Sequence, residues 1–127
     1  MSEIEQRLQL LEDEQSILNL IVTTLTSEGY SLLRASSGDE ALTIDAAAGR
    51  PPDLVVTDAK MPGISGIELA RTLAGRHPGL PVIVMSSDTQ LLKGSDLGSQ
   101  AISLLQKPFT TKQLRGRVRA ALNRRQP

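Results

Sequence analysis

The sequence predicts a doubly wound α/β domain built on a five-stranded parallel sheet, and three observations lead there. Short apolar runs at 54–56 and 82–85, and the pair Leu104-Leu105 preceded by Ile102, are unbroken rather than alternating, which suits strands covered on both faces. Stretches with helical spacing of apolar residues separate these runs. Turn-forming residues then stand where each helix should hand over to the next strand.

Taken in order, residues 8–11 form a first strand, weakened by Gln9, and Ile17, Ile21 and Leu25 space a first helix closed by Glu28-Gly29. Residues 30–35 are polar enough for an edge strand. Ala41, Leu42 and Ala46 mark a second helix, which Gly49-Arg50-Pro51-Pro52 separates from the strand at 54–56. Leu69, Ala70 and Leu73 mark a third helix, followed by His77-Pro78-Gly79, and Leu114, Val118 and Leu122 space the last one. The helix expected over 88–100 is the weakest, because Gly94 and Gly98 each cost about 1 kcal/mol relative to alanine. Right-handed crossovers between successive strands give the order 2-1-3-4-5, the flavodoxin-like solution, with ligands at the carboxyl ends of the strands.

A chain of 127 residues, 39% hydrophobic, supports one domain over 1–127, with a core of about 7–123 and frayed ends. Fourteen basic residues balance fourteen acidic ones, so no long-range field gathers nucleic acid or anionic membrane. The last helix is basic through Lys112, Arg115, Arg117, Arg119, Arg124 and Arg125, but lacks interleaved aromatics; it reads as a solvated face, with no direct nucleic-acid partner. The absence of cysteine excludes disulfides, thiolate catalysis and cysteine-ligated zinc, and makes the cytoplasm the expected compartment. No apolar run is long enough for a membrane span.

Polar residues at the strand ends carry the chemistry. Glu12, Asp13 and Glu14 follow the first strand, Asp58 ends the third, Ser86 the fourth and Lys107 the fifth. The central strands bring them to the switch-point crevice, where clustered carboxylates repel one another unless a cation joins them. Oxygen-rich and free of cysteine, such a pocket suits Mg²⁺. A lysine and a serine beside it supply an anion site, the combination that phosphoryl transfer needs. Asp58 alone reads equally as a cap for the next element; its company decides otherwise. Glu14 reads as a complement to the first helix's dipole. Lys107 precedes a proline, which holds it extended and aimed at the crevice. His77 sits in a turn without ligand partners and is expected to be solvated. Gly63-Ile64-Ser65-Gly66 has Ile67 where a nucleophile elbow needs glycine.

The runs Leu11-Glu12-Asp13-Glu14, Val55-Val56-Thr57-Asp58-Ala59-Lys60-Met61-Pro62-Gly63 with Gly66, Val84-Met85-Ser86 and Gln106-Lys107-Pro108-Phe109 resemble response-regulator receiver domains of two-component systems over nearly the whole chain. The segments 105–110 and 118–122 are most similar to receivers fused to hybrid sensor histidine kinases. The resemblance implies that Asp58 is the phosphoacceptor, loaded by a histidine kinase or phosphotransfer protein. It implies Mg²⁺ held by Asp13, Asp58 and the Lys60 backbone carbonyl, with Glu12 acting through water. Lys107 would pair with phosphoryl oxygens, Ser86 would serve as the hydroxyl switch, and the Lys107-Pro108 peptide would be cis. A fused or separate output domain is expected, and no enzymatic activity beyond the domain's own phosphorylation and dephosphorylation. The alternative is a phosphorylation-independent pseudo-receiver that binds proteins; intact Asp13, Asp58, Ser86 and Lys107 argue against it. A turnover phosphatase would need a second acid two residues after the nucleophile, where this chain has Lys60. One departure stands out: Leu104 occupies a position where the family usually has an aromatic residue.

Overall fold

The computed structural model describes residues 6–88 and 101–125. Its elements are β1 (Arg7–Leu11), α1 (Gln15–Ser27), β2 (Ser31–Arg34), α2 (Gly38–Ala47), β3 (Leu54–Asp58), α3 (Gly66–Arg76), β4 (Val82–Ser86), β5 (Ile102–Gln106) and α4 (Thr111–Arg125). The helix expected over 88–100 falls outside the described residues, apart from Asp88. The five strands form one parallel sheet in the order β2-β1-β3-β4-β5, as the crossover argument predicts.

Both faces of this sheet are covered. Leu54 and Val56 of β3, with Ile83 and Met85 of β4, meet Leu18, Ile21 and Leu25 of α1 and Leu114, Val118 and Leu122 of α4. Val55 and the alternate β4 residues Val82 and Val84 meet Leu69, Ala70 and Leu73 of α3 and Ala41 of α2. This two-sided burial is why the central strands carry no polar alternation. A fully buried Leu, Ile or Val side chain contributes about 1.5–3 kcal/mol, so these runs also anchor the strand ends that carry the polar residues. β2 lies at the sheet edge, half-buried to exposed along its length, as its polar composition requires.

Serines begin the helices on one face. Ser37 and Ser65 each accept a hydrogen bond from the amide three residues on, Glu40 N and Glu68 N, both at 3.1 Å. Such a cap contributes about 1 kcal/mol and fixes where α2 and α3 start.

The buried stripe of α2 differs from the expected one. Ala46 is exposed, and Asp45 is buried in its place. The carboxylate tolerates this because Arg76 Nη1 donates to its Oδ2 at 3.2 Å and His77 Nε2 lies 2.8 Å from its Oδ1. His77 is therefore not a solvated turn residue: it joins the end of α3 to the last turn of α2. A buried charge is kept only when paired, and here both carboxylate oxygens are engaged.

Candidate functional site

The strand register brings four of the polar residues singled out in the sequence to one edge of the sheet. Leu11, immediately before Glu12, pairs with Thr57, immediately before Asp58. Asp58 pairs with Met85, one residue before Ser86, and Ser86 pairs with Gln106, one residue before Lys107. Parallel pairing thus places Glu12, Asp58, Ser86 and Lys107 one step along neighbouring strands.

The side chains then close on one another. Lys107 Nζ lies 2.8 Å from Glu12 Oε1 and 3.2 Å from Asp58 Oδ2. Glu12 is fully engaged, since its Oε2 also accepts the Glu14 amide at 3.1 Å. Glu12 is buried, Asp58 half-buried and Asp13 exposed, and one carboxylate oxygen from each lies within 4.8 Å of the other two. Asp13 makes no ion pair or side-chain hydrogen bond among the described residues. Among the described residues, the Lys107 ammonium therefore pairs with two of the three carboxylates and leaves Asp13 without a cation. Burial acts most strongly on Lys107 and favours its neutral form, but the Glu12 hydrogen bond and the Asp58 and Glu12 charges outweigh it and hold the pKa above the ordinary lysine value.

The donor set fits a hard divalent cation. It offers only oxygen, it carries excess negative charge, and its most exposed member, Asp13, opens to solvent. Glu14, by contrast, is the residue that precedes α1 and makes no side-chain cap; among the described residues its carboxylate takes only the Ser16 hydroxyl at 3.4 Å. Lys60 lies two residues past Asp58, exposed, at the start of the loop into α3.

Two further features complete the edge. Ser86 is buried, its Oγ accepts the Asp88 amide at 3.0 Å, and its carbonyl accepts the Lys107 amide at 2.8 Å. The Lys107-Pro108 peptide is cis, as the resemblance implied. Leu104 is half-buried, and its carbonyl accepts Arg117 Nη1 at 2.6 Å.

A contact that sequence reasoning did not supply explains Gly66. A Cβ there would lie 2.1 Å from the Asp58 carbonyl oxygen and 3.1 Å from Ala59 Cα. The first residue of α3 must therefore lack a side chain for the backbone of Asp58 to run past it. The motif glycine was visible in the sequence; what it touches was not.

Comparison with known proteins agrees with this geometry. Residues 8–119 match the family model of the response regulator receiver domain. The chain is 36% identical over 118 residues to the transcriptional regulatory protein CreB of Escherichia coli, covering 91% of this chain and 50% of that protein. It is 34% identical over 124 residues to the response regulator MprA of Mycobacterium tuberculosis, covering 95% of this chain and 52% of that one. The chain thus spans about half the length of the curated relatives it matches. Among solved structures, it superposes on the receiver domain from the hybrid histidine kinase CckA with a TM-score of 0.75 at 30% identity, covering 91% of this chain and 98% of that one. A response regulator receiver domain from Clostridium thermocellum gives a TM-score of 0.82 at 30% identity, covering 94% and 95%. No helix among the described residues is long and apolar enough to cross a membrane. With its sheet order, its clustered acids and lysine, and a family match over nearly its whole length, the chain belongs to the response regulator receiver domains of two-component signalling.

Proposed function

We propose that this domain accepts a phosphoryl group on Asp58 from a phosphohistidine of a histidine kinase or phosphotransfer protein, with Mg²⁺ bound beside it. The observation that carries the reading is the position of Asp58 Oδ2, 3.2 Å from Lys107 Nζ, within a cluster of three carboxylates. Asp13, Asp58 and the Lys60 carbonyl would hold the ion, with Glu12 acting through water. When bound, Mg²⁺ offsets the repulsion among the carboxylates and neutralises charge on the phosphoryl oxygens.

The remaining steps belong to the chain's own residues. An Asp58 oxygen attacks phosphorus in line with the donor's P–N bond; that bond breaks, and its electron pair returns to the imidazole. Lys107 sits where its ammonium meets the developing negative charge, and in the resting domain it stays close by binding Glu12. Ser86 Oγ already accepts the Asp88 amide, so its own hydrogen remains available to a phosphoryl oxygen. The phosphoryl group ends on the domain itself, which makes it an acceptor in a relay rather than a turnover enzyme. Its readout would be a change in binding to a fused or separate output domain.

Incubation with acetyl phosphate and Mg²⁺, followed by intact-mass spectrometry, tests the reading. The wild-type domain should gain one phosphoryl mass and Asp58→Asn none. Uptake by Asp58→Asn at the wild-type rate, or no uptake by the folded wild-type domain, would overturn it; the second outcome is the one a pseudo-receiver gives.

A further inference from the structure

The Lys60 carbonyl lies in the loop between β3 and α3, and the two ends of that loop are held differently from its middle. Ala59 N donates to Met85 O at 2.8 Å, and Gly66 N donates back to Ala59 O at 2.9 Å. Between 60 and 64, no backbone–backbone hydrogen bond is made among the described residues. Something other than backbone pairing must set where this stretch lies.

The first turn of α2 meets it. Gly38 is buried, and a Cβ there would lie 2.5 Å from Ile64 Cγ1, 2.9 Å from Ile64 Cδ1 and 3.4 Å from the Ile64 carbonyl oxygen. The backbone of Gly38 is not in the left-handed region, so space rather than conformation demands glycine. The next residue touches the loop as well: a Cβ on Gly63 would come 2.3 Å from Asp39 Oδ2. Ile64 and Met61 also pack, half-buried, against the core on this face. The Ser37 cap fixes where α2 begins, and hence where this surface stands.

We propose that Gly38 and Ile64 are positioning residues for the metal-binding loop: the start of α2 is a template on which Ile64 seats, and that contact places the Lys60 carbonyl relative to Asp58 and Asp13. The inference rests on the Mg²⁺ reading above. Neither residue would touch the ion; each acts through the loop backbone, as groups outside a coordination shell do elsewhere.

The test is calorimetric Mg²⁺ titration of folded variants together with thermal melting. In open space, Gly38→Ala inside a helix would raise the melting temperature, because alanine is the better helix former. The clash with Ile64 should lower it instead, and should weaken Mg²⁺ binding about tenfold, the scale of effects from outside a metal's ligand shell. Ile64→Ala removes both clashing carbons and the seat, so alone it should weaken Mg²⁺ binding by a smaller factor. In that background, Gly38→Ala should cost no further affinity, because the two changes act on one contact. Phosphorylation at saturating Mg²⁺ should return towards the wild-type rate in each variant.

A Gly38→Ala domain that binds Mg²⁺ as wild type does would overturn the proposal, as would a penalty undiminished in the Ile64→Ala background. If Gly38→Ala alone does not fold, Ile64→Ala decides: unaltered Mg²⁺ affinity in that folded variant also overturns it. A wild-type domain that binds no Mg²⁺ removes the underlying metal reading as well, a result distinct from any difference among the variants.

Discussion

Asp45, between the ends of α2 and α3, is buried with both carboxylate oxygens occupied, one by Arg76 and one by His77. At the other edge of the sheet, Glu12, Asp13 and Asp58 cluster beside one ammonium, that of Lys107, which pairs with Glu12 and Asp58. The first cluster holds one carboxylate for two basic side chains; the second holds three for one. Charges that serve the fold are paired until nothing more is needed. Those at the candidate site are left short of positive charge by an amount that a divalent cation can complete. The balance of acids and bases across each cluster distinguishes the two where burial does not, since Glu12 and Asp45 are both buried.

The contrast can be broken by substitution. The largest effect is expected from Asp45→Ala, which leaves Arg76 and His77 without their shared partner. Those side chains are 41% and 26% exposed, so the cost falls below that of a fully buried pair, at about 2 kcal/mol. Urea unfolding should show it, while Mg²⁺ affinity and phosphorylation of the folded variant stay at wild-type values. A loss of Mg²⁺ affinity would mean that the two clusters are not independent.

Asp13→Asn should do the reverse. Mg²⁺ affinity should fall about tenfold or more, equivalent to about 1.4 kcal/mol. Stability without metal should hold or rise by a few tenths of a kcal/mol, because one repelling charge is gone. Unfolding followed with and without Mg²⁺ checks both, since an ion bound only by the native state stabilises it by mass action. Destabilisation of metal-free Asp13→Asn beyond about 1 kcal/mol would assign Asp13 to the fold rather than to the site.

The smallest effect concerns Lys107. Its pKa is raised in the folded domain, so the stability it contributes is complete below the ordinary value of 10.5 and is lost as pH climbs through the higher folded value. The difference in stability between wild type and Lys107→Met should therefore be constant from neutral pH to about 10 and shrink above it, by under about 1 kcal/mol. A difference that changes between pH 5 and 8 would point to another group.

The sequence alone was enough for the strands, the three fully described helices on either side of the chain's centre and the last one, and the identity of the residues at the strand ends. Unbroken apolar runs such as Leu54 to Val56 report burial on both faces, and glycine and proline report chain reversal; both signals act over a few residues. That Glu12, Asp13, Asp58, Ser86 and Lys107 meet at one edge then followed from βα alternation, because every parallel strand delivers its carboxyl end to the same edge.

Tertiary structure alone decided which charges pair. Lys107 and Glu12 are 95 residues apart, and Asp45 lies 31 and 32 residues from Arg76 and His77. Helical spacing on α2 pointed to Ala46 for burial, yet Asp45 is the residue inside, because the end of α3 arrives there with two donors. The spaces that demand glycine at 66 and 38 are equally invisible locally, for each is defined by a backbone or side chain that another element brings. Periodicity along one chain tells which side of an element faces inward. What it meets there depends on how elements distant in sequence pack together, and no short-range signal carries that.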